Sequence, residues 1–221
     1  MIDQLIIGDK ASYDDFDASV AERKNTKPKK KVIKETVPFS NITYDFSAIN
    51  GEVYWEEREL EYVFEIIADS PEELEEKKQP FISWIMNVMN EELHDPFIPD
   101  YHFIATFSEI ADDDSEIEKS TITVKFTAYP YMISNSKRVY TFAITPDPTI
   151  IKIFNNSSHR VIPTLIVDVE SLIAPGNTSY GIAPGETTDS RFMLKPGSNS
   201  MVIMASNEAG TLKIEFYEEV F

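Results

Sequence analysis

The chain has 221 residues, 42% of them hydrophobic and 12% aromatic, enough to fill real cores and to exclude a disordered tail. It has no cysteine, which removes disulfides, zinc–thiolate sites and thiol nucleophiles. Its net charge of −18 disfavours a surface that grips nucleic-acid phosphates. The acidity is uneven, with 29 acidic against 14 basic residues up to Lys137 and 9 against 6 from Arg138 onward. No apolar run reaches the length of a bilayer crossing. Met1-Ile2-Asp3-Gln4 has no basic region followed by an apolar stretch, so no signal peptide is expected there.

In chain order, Leu5-Ile6-Ile7 closed by Gly8 reads as a first strand. Residues 9–27 are polar and read as a loop or arm. Lys29-Lys30-Lys31 before Val32 and Ile33 reads as a solvated strand edge, where lysines discourage wrong pairing. From Arg58 to Ile67 the chain alternates. Leu60, Tyr62, Phe64 and Ile66 point one way, and Glu59, Glu61 and Glu65 form a wet carboxylate row on the other. One long helix is predicted near 70–92. Ser70 is its N-cap, Pro71 its first residue and Glu73 the partner in a capping box. Leu74, Phe81, Ile85, Val88 and Met89 recur at helical spacing beside Trp84, and Pro80 is expected to kink the helix or split off its first turns. Strands are predicted at Phe103–Phe107 and Ile117–Phe126. The acidic run Asp112–Glu116 lacks the glycine and terminal glutamate of a calcium loop and reads as a hairpin tip.

After Tyr131 the texture changes to short strands between Pro-Gly turns. The strands are predicted at 139–144, 149–154, 161–169, 179–182, 188–194, 200–204 and 211–217, with no further helix, as in a β-sandwich. The fold class is mainly β (α+β). Residues 1–136 form a β-sheet domain with one principal helix, and residues 137–221 form a β-sandwich.

Catalytic signatures are not found. His94, His102 and His159 sit in no metal-ligand motif, there is no nucleophile elbow or phosphate loop, and the chain holds only 7 glycines. No catalytic, cofactor or metal residue is assigned, and the chain is read as a non-enzyme. The main alternative is a carbohydrate-binding sandwich, since flat sugar faces stack on exposed aromatics. Both tryptophans, Trp55 and Trp84, lie in the first domain. Tyr140 and Tyr180 are the aromatics such a module would use in the second. A structural adaptor is the other alternative.

The order of the pieces carries a resemblance. Gly51-Glu52-Val53-Tyr54 leads to Arg58-Glu59-Leu60-Glu61-Tyr62-Val63-Phe64. A helix with Phe81-Ile82-Ser83-Trp84-Ile85 follows, then Pro99-Asp100-Tyr101-His102-Phe103-Ile104-Ala105 and Phe126-Thr127-Ala128-Tyr129-Pro130-Tyr131. This resembles the amino-terminal domain of the distal tail proteins (Dit) of long-tailed bacteriophages. Ile153–Ser157, Pro163–Val167 and Leu194–Met201 resemble their galectin-like sandwich. Residues 9–31 match least. The resemblance implies a homo-hexameric ring at the virion tail tip, made in the host bacterial cytoplasm. It would join the tail-tube protein to a tail-associated lysin or fibre and to receptor-binding proteins. DNA would pass through without specific binding, and no membrane or cofactor is involved. Glu59, Glu61 and Glu65, with Glu72, Glu73, Glu75 and Glu76 at the helix start, are the candidate lining of that channel. Carboxylates there would keep phosphates from adhering.

Overall fold

The computed structural model describes residues 3–48 and 51–221. The reading of Met1 and Ile2 therefore lies outside the described residues. Contacts divide the chain into one unit of Met1–Met132 with Phe221 and a second of Ile133–Val220.

The first unit contains β1 (Ile6–Ile7), β2 (Lys10–Ala11), β3 (Ala18–Asn25), β4 (Lys34–Thr36), β5 (Thr43–Asp45), β6 (Arg58–Ile67), α1 (Pro71–Met86), β7 (Glu91–His94), β8 (Tyr101–Ser115) and β9 (Lys119–Ala128). Its main sheet runs β2-β1-β7-β8-β9-β6-β3, and the pairings along it are antiparallel. In β6 the alternation is as predicted: Leu60, Tyr62, Phe64 and Ile66 are fully buried. They pack under α1, where the Phe81 ring meets Phe64 edge-on at 4.9 Å. Each such ring buries a large apolar area, and edge-to-face geometry adds about 0.5–1.5 kcal/mol per pair.

The helix begins as its sequence demands. The Ser70 hydroxyl accepts from the Glu73 N–H at 3.2 Å, and Glu73 reaches back to the Asp69 N–H at 2.9 Å. The helix runs unsplit through Pro80. It stops at Met86, short of the expected end near residue 92. The Asn87 N–H turns back onto Trp84 and Ile85 carbonyls, Asn90 takes a left-handed backbone (φ 56°), and Glu91–His94 becomes a strand. Val88 still points into the core, whereas Met89 is exposed.

Residues 9–27, expected as a loop or arm, instead hold β2 and β3 with a turn between them. Ala18 and Val20 bury against the core, and β3 pairs with β6 over seven residue pairs. Its polar letters mark an edge strand tied by ion pairs. Arg23 donates through Nε to both oxygens of buried Asp95 at 3.0 and 3.1 Å, and its terminal nitrogens hold Asp3. The Tyr62 hydroxyl donates to the same Asp95 at 3.3 Å. Burial, then the Asp95 charge, pushes the Tyr62 phenol far above its ordinary range.

The second unit is a sandwich of two four-stranded sheets. One has the order β11 (Arg138–Ile144), β18 (Gly210–Phe216), β13 (Thr164–Val167), β16 (Gly185–Thr188). The other has the order β12 (Thr149–Asn155), β17 (Gly197–Ala205), β14 (Ser171–Ala174), β15 (Tyr180–Ile182). β10 (Met132–Ser134) pairs with β19 (Glu219–Val220). Leu165, Phe192, Leu194, Ile203, Leu212 and Ile214 fill the space between the sheets. The predicted strand 161–169 shortens to 164–167, β14 and β16 were not anticipated, and 188–194 is not a strand, since β16 ends at Thr188 and a 3-10 turn follows at Ser190–Phe192. The Asp189 side chain caps that turn through the Arg191 N–H at 2.8 Å.

Candidate functional site

The sheet of the first unit has a core face under α1 and a wet face. Register places the wet residues in rows. One row is Thr106, Thr127 and Glu59. The next is Glu109, Lys125, Glu61 and Lys24, and the third is Asp112, Thr123, Val63 and Glu22. The last is Asp114, Thr121, Glu65 and Ser19. The carboxylate row read from β6 is therefore one column of a mixed lattice. Lys119 donates to Glu65 at 2.8 Å, Lys125 to Glu109 at 2.9 Å, and Lys24 lies 3.5 Å from Glu61. The Glu65 and Glu109 hydrogen bonds raise the pKa values of Lys119 and Lys125, so both stay charged and engaged. Carboxylates outnumber lysines on this face, and each lysine has a carboxylate partner.

The helix acids lie elsewhere. α1 covers the core face, so Glu72, Glu75 and Glu76 are exposed on the side of the sheet opposite Glu59, Glu61 and Glu65. Glu73 is spent on the cap and on Lys77 at 3.0 Å. The Asp69 N–H, then Lys77, holds its carboxyl below the usual range. The seven candidate carboxylates thus form two sets on two faces.

Residues 26–48 and 51–57 form an arm. Its root pairs Lys30 with Trp55, Lys31 N–H donates to the Tyr54 carbonyl at 2.8 Å, and β4 pairs with β5 further out. Every residue from Lys29 to Phe46 is exposed, and the apolar ones are large: Val32, Ile33, Val37, Phe39, Ile42, Tyr44 and Phe46. Phe39, at the tip, takes a left-handed backbone (φ 63°) with its ring fully in solvent. Five lysines, Lys27, Lys29, Lys30, Lys31 and Lys34, crowd the outgoing half of the arm, and Glu35, Asp45, Glu52, Glu56 and Glu57 balance them, so the arm has no net charge in an acidic chain. A lone two-stranded ribbon is marginal in water, and an apolar surface of this extent marks a contact site.

Glu92, His94 and His102 converge on the wet side of β7 and β8, with ligand atoms within 4.8 Å of one another. Sequence reading missed this group, because it carried the helix to residue 92 and so did not place Glu91–His94 as a strand beside β8. Two shallow grooves of about 350 and 360 Å³ flank the sheet. One is lined by Ile7, Gly8, Asp9, Trp84, Asn87, Val88 and Glu91, the other by Glu57, Asn90, Ile104, Thr106, Thr127, Ala128 and Tyr129. Neither lining brings a histidine, lysine or serine to the groove. In the second unit the aromatics that would stack on sugars are engaged. The Tyr140 hydroxyl donates to the Phe154 carbonyl at 2.9 Å, and the Tyr180 ring packs edge-on against Phe192 at 5.8 Å.

By sequence, no protein-family model and no curated protein matches the chain. By structure, it is similar to the crystal structure of the SPP1 Dit (gp 19.1) protein, described as a paradigm of the hub adsorption apparatus in Gram-positive-infecting phages. That likeness has a TM-score of 0.71 at 13% identity and covers 100% of both chains. A looser likeness, with a TM-score of 0.42 at 9% identity over 97% of this chain and 98% of the other, links it to the phage P2 baseplate in its activated conformation with Ca. The chain has the fold of a Dit protein.

Proposed function

We propose that the chain is a structural hub of a phage tail tip, in which six copies close a ring that joins the tail tube to a tail-associated lysin or fibre and to receptor-binding proteins, and through which DNA passes. The observation that carries this reading is the end-to-end match in fold to a hub protein. The role is that of a scaffold rather than an enzyme, placed at the virion tail tip after synthesis in the host bacterial cytoplasm.

The arm supplies the means of closure. A head-to-tail ring needs a surface on each copy that docks on a different surface of the next. The arm is apolar with a locally basic stretch at Lys27–Lys34, the rest of the chain is acidic, and the chain itself offers the complementary charge for that stretch. The wet sheet face with Glu59, Glu61 and Glu65 lines the hole in this reading. Its lysines are held by carboxylates, so it presents no bare cationic track to phosphates. The acids Glu72, Glu75 and Glu76 then face away from the hole.

Light scattering of the full chain at rising concentration tests the reading. The expected result is a species of six chain masses, lost when Val37, Phe39 and Tyr44 are changed to serine while the far-UV spectrum is kept. A wild-type chain that associates only as a two-fold dimer would contradict it, as would a triple variant that still forms six-chain particles.

A further inference from the structure

We infer that Glu92, His94 and His102 form a binding site for a divalent transition metal of the zinc class. Glu92 and His94 are two apart on β7 and so share a face of the sheet. β7 and β8 are antiparallel, with Glu92 opposite Ile104 and Leu93 opposite Phe103. One step further along that register brings His94 alongside His102, and their ring centroids are 5.0 Å apart. Glu92 spans the pair: one carboxylate oxygen is 3.1 Å from His94 Nε2 and the other is 4.0 Å from His102 Nε2. Metal bonds of about 2.0–2.2 Å to nitrogen and oxygen place tetrahedral ligand atoms roughly 3.4 Å apart. Small side-chain rotations close the present spacing to that value.

Two imidazoles and a carboxylate suit zinc, cobalt, nickel or copper rather than calcium or magnesium, which prefer all-oxygen shells. The scaffold is held in place. The turn joining β7 to β8 begins at Asp95, whose carboxylate accepts from Arg23, Tyr62 and the Phe97 N–H. His102 is nearly buried, while Glu92 opens to solvent. The fourth position is therefore reachable by water. Bound metal would cross-link the two strands at the end of the sheet. This site does not depend on the hub reading.

The chain has three histidines, two of them here and His159 in the other unit, which gives an internal control. Calorimetry of the full chain, freed of metal by chelation, is run with Zn²⁺, Co²⁺ and Ca²⁺ separately. One Zn²⁺ should bind per chain at micromolar concentration or tighter, with Ca²⁺ failing to compete. Co²⁺ should broaden the imidazole NMR signals of His94 and His102 and leave that of His159 sharp. Glu92→Gln, an exposed change that leaves the fold intact, should weaken Zn²⁺ at least tenfold, and His94→Ala further. His159→Ala should change nothing. No Zn²⁺ uptake at a hundred micromolar, uptake undiminished in the Glu92 and His94 variants, or broadening confined to His159 would each overturn the site.

Discussion

Replacing Arg23 by alanine tests the clamp that fastens β3 to the rest of the first unit. Asp95 is only 2% exposed, and its guanidinium partner holds both its oxygens at 3.0 and 3.1 Å. Without Arg23 the carboxylate keeps two neutral donors, the Tyr62 hydroxyl and the Phe97 N–H. Breaking a buried pair from one side costs about 3–5 kcal/mol, because the remaining charge is stranded. Loss of the guanidinium from the Phe97 ring, 4.3 Å away, adds about 0.5–1 kcal/mol. At about 4 °C per kcal/mol for a unit of this size, the Tm of the first unit should fall by roughly 14–24 °C. Thermal and urea unfolding followed by tryptophan fluorescence reports it, since Trp55 and Trp84 both lie in that unit. The double variant with Asp95→Ala should be better than the sum of the singles by more than about 1 kcal/mol. Arg191→Ala, which breaks the exposed pair with Asp189, should cost less than about 1 kcal/mol. An Arg23 variant as mild as the Arg191 one, or strict additivity with Asp95→Ala, would refute the reasoning.

Ser70→Ala should cost about 1 kcal/mol of stability in urea titrations, through loss of the helix cap. The Glu73 carboxyl is held below its ordinary value of 4.5, so its contribution is present above that pH and is lost as pH falls through the folded value. The stability gap between wild type and Glu73→Gln should be open at neutral pH and close in acid. Gly210→Ala should cost about 1–3 kcal/mol, since a Cβ there would collide with the Asp168 carboxylate and come within 2.5 Å of the Val169 side chain. Trypsin should cut first between Lys27 and Lys34 on the exposed arm. It should not cut first at Lys137, near which the Ser134 N–H donates to the Glu218 carbonyl at 2.8 Å; mass spectrometry of the first fragments distinguishes the two.

Local signals were legible where one short stretch determines its own structure. The β6 alternation and the Ser70 cap appear where the sequence put them, because period-2 burial and capping act over a few residues, whereas the hairpin tip read at Asp112–Glu116 is displaced: Asp112–Ser115 belong to β8 and pair with β9, and the turn lies at residues 116–118. β3 was hidden because its buried letters are only Ala18 and Val20, and the rest of its register is held by partners 40 residues away. The helix end was misplaced because Val88 and Met89 continue the apolar spacing, while the stop is set by the Asn90 turn and by pairing of β7 with β8. The carboxylate row was legible on β6 itself. Its lysines sit on β3 and β9, and the helix acids share a wet character with it but not a face. The Glu92-x-His94 spacing was visible, whereas the approach of His102 depends on the β7–β8 register.

The hub account is tested most directly by a cryo-electron micrograph reconstruction of the tail tip of the assembled particle, at a resolution that traces β6. The account predicts six copies in a closed ring, each arm of residues 26–57 seated on the neighbouring copy, and Glu59, Glu61 and Glu65 facing the hole. A ring whose hole is lined by Lys29, Lys30 and Lys31, or a chain present only as a two-fold dimer, would contradict it.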